Sequence, residues 1–349
     1  MATYDFVFDS VGLRHWCDAG QSGEATVSMA DLLAQTGNEE AQTIWTLPFP
    51  SLDQLNDACG AMLESRDVTK GVEAGFLATK DALRFVLDPL TQPLSWILEF
   101  AIAAFGAIPW WLMLPALMAV VFFASKSVRL MFFVVACLVF LAFIDHYDPA
   151  MQTLAIIFVC AFLCVLFGVP IGIAMSRSDR LQRISIPILD MLQTLPPFVY
   201  LIPLIFLFSV TESKLYGIAI ILYAMVPVIR LTDLGIRLVD KEVVEAADAF
   251  GASKKQKLWG VQIPLALPNI MQGVNQAVMM ALAMVVIASM IGTRGIGDEV
   301  LLGLQQLNVG MATEAGIAIV LLAIIFDRIT QAYGDRIQEK TRPKKMKKV

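Results

Sequence analysis

The residues best spaced for specific chemistry lie in one polar stretch, Val239–Ile270, which reads VDKEVVEAADAFGASKKQKLWGVQIPLALPNI. Lys241–Phe250 has the pattern of a short helix, with Val243, Ala246, Ala247 and Phe250 on one small, apolar face. Gly251 supplies the stop, because a residue without Cβ takes the left-handed conformation that ends a helix. Ser253 is placed to cap a second short helix, Lys254–Trp259. Two such helices joined at a glycine suit docking rather than bond breaking. Enzymatic readings fail on the residues available. There is no G-x-x-x-x-G-K-[ST] phosphate loop, and Gly292-Thr-Arg-Gly295-Ile-Gly297 has glycines but no strand before it. Neither paired carboxylates nor a Cys/His arrangement fall in one place, and His15 with Cys17 does not make a metal site.

A second set of polar residues sits inside apolar sequence, where it is costly unless it faces protein or water. Gln272, Asn275, Gln276 and Met279 recur at i, i+3, i+4 and i+7, one stripe of a helix. That stripe can line a polar path or hydrogen-bond to a neighbouring helix. Gln193 and Thr194 precede Pro196 and Pro197, and Pro203 follows, so the helix there should be bent or broken. Broken helices at membrane depth line cavities, although the same prolines can serve packing alone. Phe198 and Tyr200 offer aromatic faces to a cation or to lipid and core. Asp190, Arg230, Asp233, Asp327 and Arg328 fall near span ends, as headgroup-level charges or local ion pairs.

The elements that must position these residues are membrane helices. The chain has 349 residues, 57% hydrophobic and 16% charged, with a mean hydropathy of +0.69. Soluble domains carry about 25% charged residues, so the excess apolar surface has to face lipid. Seven spans are expected near 109–125, 128–145, 150–175, 191–210, 216–236, 265–291 and 313–333, after an interfacial helix near 94–107. Residues 1–92 form an acidic tail. Met1–Phe100 holds 15 acids against five bases, which leaves the remainder net basic. In that tail Ser51 and Gln54 mark a helix start running through Leu63, a second helix is patterned over Ala78–Leu87, and Cys17 and Cys59 are placed where a disulfide could form. No cleaved signal peptide is evident at the start.

Basic loops set orientation. Lys126 with Arg129, then Arg177, Arg180 and Arg183, then the lysines of 241–257, then Lys344, Lys345, Lys347 and Lys348 fall on one side of a seven-span chain. The acidic connection Asp145–Asp148 falls on the other. The tail 1–92 is then outside and the basic tail 336–349 cytoplasmic, with two peripheral spans inside 93–149 and a core over 150–335. Nothing in the acidic tail would neutralise nucleic-acid phosphates.

The loop residues resemble a family signature. Permeases of ATP-binding-cassette importers with the type I, MetI-like fold carry Glu-Ala-Ala, three residues, Gly, nine residues, then Ile-x-Leu-Pro. Here Glu245-Ala246-Ala247, Gly251 and Val261-x-Ile263-Pro264 match it with two aliphatic swaps. From Thr153 to Gly334 the chain is similar to glycine betaine/proline betaine permeases in particular, through Asp190–Pro203, Val228–Thr232, Gly273–Gln276, Met284–Ile291 and Ile325–Ala332. The resemblance implies an all-α permease of the bacterial inner membrane that pairs with a second copy. Two ATPase subunits would dock on a coupling loop, 239–264, and an external binding protein would deliver a methylated osmolyte. It implies no cofactor of the chain's own, ATP being bound by the partner. Trimethylamine N-oxide or choline is an alternative cargo. An ion-coupled secondary transporter, the rival of another class, should carry inverted repeats and paired intramembrane acids, and neither is found.

Overall fold

The computed structural model describes residues 12, 17, 51–59, 62 and 64–341. Lys344–Lys348, most of the acidic tail and Leu63 lie outside the described residues. The chain divides into two compact units, Met1–Leu83 and Arg84–Val349.

In the first unit α1 (Leu52–Ala58) starts at Ser51, whose hydroxyl accepts from the Gln54 N–H. The helix ends at Ala58, five residues before the expected stop, and Cys59 is disulfide-bonded to Cys17. The Asp53 carboxylate accepts from both the backbone N–H and the hydroxyl of Ser65, at 2.8 Å each, at the first residue of α2 (Ser65–Ala107). Those two bonds hold its carboxyl below the usual value.

The sequence predicts separate helices over 78–87 and 94–107, and the structure has one. α2 runs through Pro89 and Pro93 without a break. A proline removes one backbone bond, but tertiary contact holds this helix beyond both. Ser95 and Leu98 are buried, and Leu98 packs where a side chain on Gly217 would stand. α3 (Trp110–Ser125) and α4 (Val128–Phe143) follow where two spans are expected. At 16 residues each they reach about 24 Å at the helical rise, somewhat less than a hydrocarbon core of ~30 Å. α5 (Tyr147–Ser176), α6 (Asp179–Thr194) and α7 (Pro197–Leu207) come next, then α8 (Ser213–Arg237). α9 (Lys241–Ala249) and α10 (Lys254–Lys257) make the polar hairpin. It leads through a π turn, Leu258–Gln262, into α11 (Ile263–Ala288). α12 (Ile296–Gln305), which the sequence reading leaves as a loop, and α13 (Val309–Thr341) are the last of the described elements.

Among the described residues five helical stretches are long and apolar enough to cross a membrane: α2, α5, α8, Lys254–Ile291 and Val309–Ile337. α6 and α7 make a sixth if they count as one span, bent by 94°. The break at Leu195–Pro196 is the one the prolines predict, but α6 begins twelve residues before the expected span, behind a Ser178 cap.

α8 is the centre of the second unit, packed between α5 and α11 with most of its apolar residues buried. Glycine makes this packing possible. A Cβ on Gly172 of α5 would stand 2.7 Å from the Ile229 carbonyl and 2.6 Å from Thr232 Cβ. On the other side a Cβ on Gly235 of α8 would stand 2.7 Å from Asn269 Cβ of α11. α13 lies against α11 and α12, and its Arg336 donates to the carbonyls of Phe123 and Ala124 that end α3.

Gly172→Val should therefore force α5 and α8 apart and destabilise the purified protein by about 1–3 kcal/mol or more, the cost of overpacking. Thermal unfolding in detergent reads this as a lowered midpoint. Gly71→Ala, with nothing within 4 Å of the added carbon, should not lower it.

Candidate functional site

The polar hairpin is built from strong local signals. Asp240 caps α9 by accepting from the Glu242 N–H at 3.0 Å, and Glu242 adds an acid to the positive end of the helix. The stop comes at Gly251, whose φ of +76° lies in the left-handed region. Ser253 then forms a complete capping box with Gln256. Lys257 Nζ meets both carboxylate oxygens of Asp248 at 2.8 Å and closes the hairpin. The expected second helix, Lys254–Trp259, does not end at Trp259. It passes through the π turn straight into α11, so the hairpin is a direct extension of a long helix.

Leu258 roots the hairpin in the bundle. It is 4% exposed and packs with Ile236, Ala266 and Ile270, with Val169, Ile173, Val239 and Ile263 around them. Three long helices and the hairpin share that cluster. Outward, by contrast, the hairpin leaves Phe250 92% and Trp259 65% exposed, with Val243 open as well. Glu245, Ala246 and Gly251 are exposed, while Ala247, Val261, Ile263 and Pro264 are half-buried at its base. Ser176, Arg237, Lys241, Val244, Glu245 and Gln262 line a cavity of ≈ 230 Å³ between the hairpin and the helix ends. Exposed apolar side chains on a polar projection, beside a carboxylate, are a surface that a partner can bind.

At the root of α9, the Arg237 guanidinium holds three groups. Its Nη1 donates to Asp179 Oδ1 at 2.8 Å, its Nε to Asp233 Oδ1 at 2.9 Å and its Nη2 to the Met175 carbonyl at 2.9 Å. Gln182 donates to the second oxygen of Asp233 at 2.7 Å. Further along, Arg230 pairs with Asp190. Asp190, Arg230 and Asp233 thus sit in local ion pairs. Asp233 and Arg237 are four apart on α8, but the bonds of Asp179, Gln182 and Met175 to them span 51 to 62 residues and carry no sequence signal.

The opposite end of α8 holds another cluster that the sequence does not announce. Lys214 is 3% exposed, with Asp88 Oδ1 at 2.8 Å, Glu212 Oε2 at 2.9 Å and Gln92 Oε1 at 3.2 Å. The Phe208 ring lies 5.2 Å from its nitrogen. Arg84 binds Asp88 and Glu212 as well.

The intramembrane stripe divides. Asn275 donates to Asp327 Oδ1 at 2.9 Å and accepts from the Thr330 hydroxyl at 2.6 Å, so it belongs to the seam between α11 and α13. Gln272, Gln276 and Met279 stay exposed on α11. At the elbow Pro196 precedes α7 and Pro197 is its first residue, while Gln193 is half-buried and the Thr194 hydroxyl donates to the Asp190 carbonyl at 2.8 Å. Phe198 is 48% exposed, and the Tyr200 hydroxyl reaches Met284 Sδ of α11 at 3.8 Å. The elbow and the stripe are thereby brought onto neighbouring helices.

The second unit is thus a helical bundle that carries a rooted, outward-facing polar hairpin. The chain belongs to the family of binding-protein-dependent transport system inner membrane components, which it matches over residues 164–341. It is an ATP-binding-cassette importer permease of the MetI-like kind. Among relatives, it is 39% identical over 311 residues to the glycine betaine/proline betaine transport system permease protein ProW of Escherichia coli, covering 86% of this chain and 84% of that protein. It is 41% identical over 239 residues to the glycine betaine transport system permease protein OpuAB of Bacillus subtilis, covering 68% and 79%. The trimethylamine N-oxide transport system permease protein TmoV of Ruegeria pomeroyi is 39% identical over 189 residues, 54% of this chain and 29% of that protein.

Leu258→Ala should loosen the hairpin without unfolding the bundle, since truncating a buried leucine costs about 2–5 kcal/mol. Amide hydrogen exchange should rise across 241–262 and stay unchanged in α8 before Ile229.

Proposed function

We propose that this chain is the membrane-spanning subunit of an ATP-driven, binding-protein-dependent importer for a methylated osmolyte, glycine betaine or proline betaine first. Its likeness to the E. coli permease over most of both chains carries the reading. Likeness to a trimethylamine N-oxide permease, over a shorter stretch, supports a second cargo of the same chemistry. All these cargoes have a methyl-clad head and a small polar end.

In this reading a second copy of the chain encloses the pathway and two ATPase subunits dock on the hairpin. Glu245, Ala246, Ala247, Gly251, Val261, Ile263 and Pro264 form the dock. ATP is bound and cleaved in those partners, and this chain supplies no catalytic group. An external binding protein delivers cargo. The unit that does this work is the core over 150–335, with 93–149 peripheral to it. The bent pair α6–α7 and the open residues Gln272, Gln276 and Met279 line the path. Amide dipoles there can meet a zwitterion's polar end, and Met279 and Phe198 let its methyl groups pass without a fixed counter-charge. Such a path is permissive, and selectivity then lies in the binding protein. Basic loops place the hairpin in the cytoplasm, the acidic tail 1–92 outside and the C-terminus inside.

Uptake of labelled glycine betaine into vesicles holding the whole assembly should be competed by methylated amines and not by sugars, peptides or metal ions. Competition by the latter alone would remove the cargo class and leave the permease. Glu245→Lys and Gly251→Asp should each abolish uptake and release the ATPase on purification, with membrane insertion normal. Reporter fusions after residue 90 and at the C-terminus should read outside and cytoplasmic in turn, and two cytoplasmic readings would overturn the orientation.

A further inference from the structure

The end of α8 fastens α6 along its length. Val226, Ile229, Arg230, Asp233 and Arg237 fall on one stripe of α8, at helical spacing. The apolar members pack with Leu189 of α6 and Met175 of α5, with Leu192 and Met225 against them. The polar members make the bonds described above: Arg237 to Asp179, Asp233 to Gln182 and Arg230 to Asp190. α6 is thus held at its first residue, one turn further and again near its end. Five residues after Asp190 comes the 94° elbow into α7. On the other flank, Ile236 is packed against Leu258 at the root of the hairpin, and three residues separate α8 from α9.

We infer that Arg230 and Arg237 are positioning residues that relay displacement of the hairpin to the elbow between α6 and α7. The inference rests on reading the hairpin as the ATPase dock. A push on α9 reaches α8 through a short connection and a shared apolar cluster. α8 cannot shift there without carrying α6, because three polar bonds and one apolar cluster tie them. The motion is then taken up at Leu195–Pro196, where the backbone bonds of both helices stop. Arginine suits the role at position 237, since its planar fork reaches three acceptors on α5, α6 and α8 at once. Neither arginine needs to touch cargo or ATPase.

Arg237 replacement would leave Asp233, with a 7% exposed side chain, without its cation, so the folding-safe test uses the outer pair. The side chains of Arg230 and Asp190 are 37% and 52% exposed, and both orders of charge can be accommodated. Arg230→Asp, Asp190→Arg and the double exchange are reconstituted with the ATPase and binding protein in vesicles. Osmolyte imported per ATP hydrolysed and the amount of ATPase retained on purification are measured together. Each single variant should keep its ATPase yet import at least about fivefold less per ATP, the lower range of coupling between two sites. The exchange should restore most of the loss. An unchanged ratio in the single variants, or a double exchange that restores nothing, would overturn the relay. Loss of the ATPase from the single variants would overturn it too, by making Arg230 part of the dock. Failure of the docking reading itself is distinguishable, because Glu245→Lys and Gly251→Asp would then retain both ATPase and import.

Discussion

In a bilayer, helices gain little from hiding apolar surface from one another, because lipid is as apolar as leucine. Close contact must do the work, and here it is made around α8. Gly168 and Gly172 of α5 bring that helix onto Val228, Ile229 and Thr232, while Gly235 and Gly273 do the same between α8 and α11. These positions have no room for a side chain without displacing backbone or Cβ atoms. The polar features follow from this approach. Arg237 reaches the Met175 carbonyl at the end of α5 because the two helices are close there. Leu258 finds Val169 and Ile173 of α5 beside Ile236 of α8 for the same reason.

Both ends of α8 are fixed by charge, in two different ways. At Lys214 three acceptors on α2 and the segment before α8 surround one buried ammonium, and Arg84 balances the two carboxylates. Taking an ion out of water is costly unless paired groups repay it, so this cluster holds α2 against the start of α8 as a single unit. At the other end the pairs are partly open, and each reaches across to α6. One end is therefore buried and locked. The other has a half-open outer pair, Arg230 with Asp190, beside the buried Asp233, and it adjoins the hairpin.

The hairpin and the elbow differ in how they hold their shape. Caps at Asp240 and Ser253, the glycine stop and the Lys257–Asp248 pair shape the hairpin from within, and Leu258 anchors it to the bundle while Phe250 and Trp259 stay exposed. At the elbow the backbone is interrupted by Pro196 and Pro197, and its angle depends on what α6 and α7 each pack against. A stiff projection joined to a hinged span is the mechanical pairing that the proposed coupling requires.

The sequence by itself determined several features carried by near neighbours in the chain. The all-helical class, the hairpin with its Gly251 stop and Ser253 cap, the start of α1 at Ser51 and the break before Pro197 are set by local sterics and local bonds. The family signature in the loop was legible for the same reason. Tertiary structure alone decided what depends on partners far along the chain. α2 stays unbroken through Pro89 and Pro93, and Asn275 turns to Asp327 and Thr330 while Gln272 and Gln276 stay open. Ile296–Gln305 forms α12, where the sequence reading leaves a loop. Arg237 and Lys214 gather partners 58 and 126 residues away. A charged residue near a span end reads the same in sequence whether it meets water or a distant carboxylate. Only the close packing of helices around α8 chooses between them.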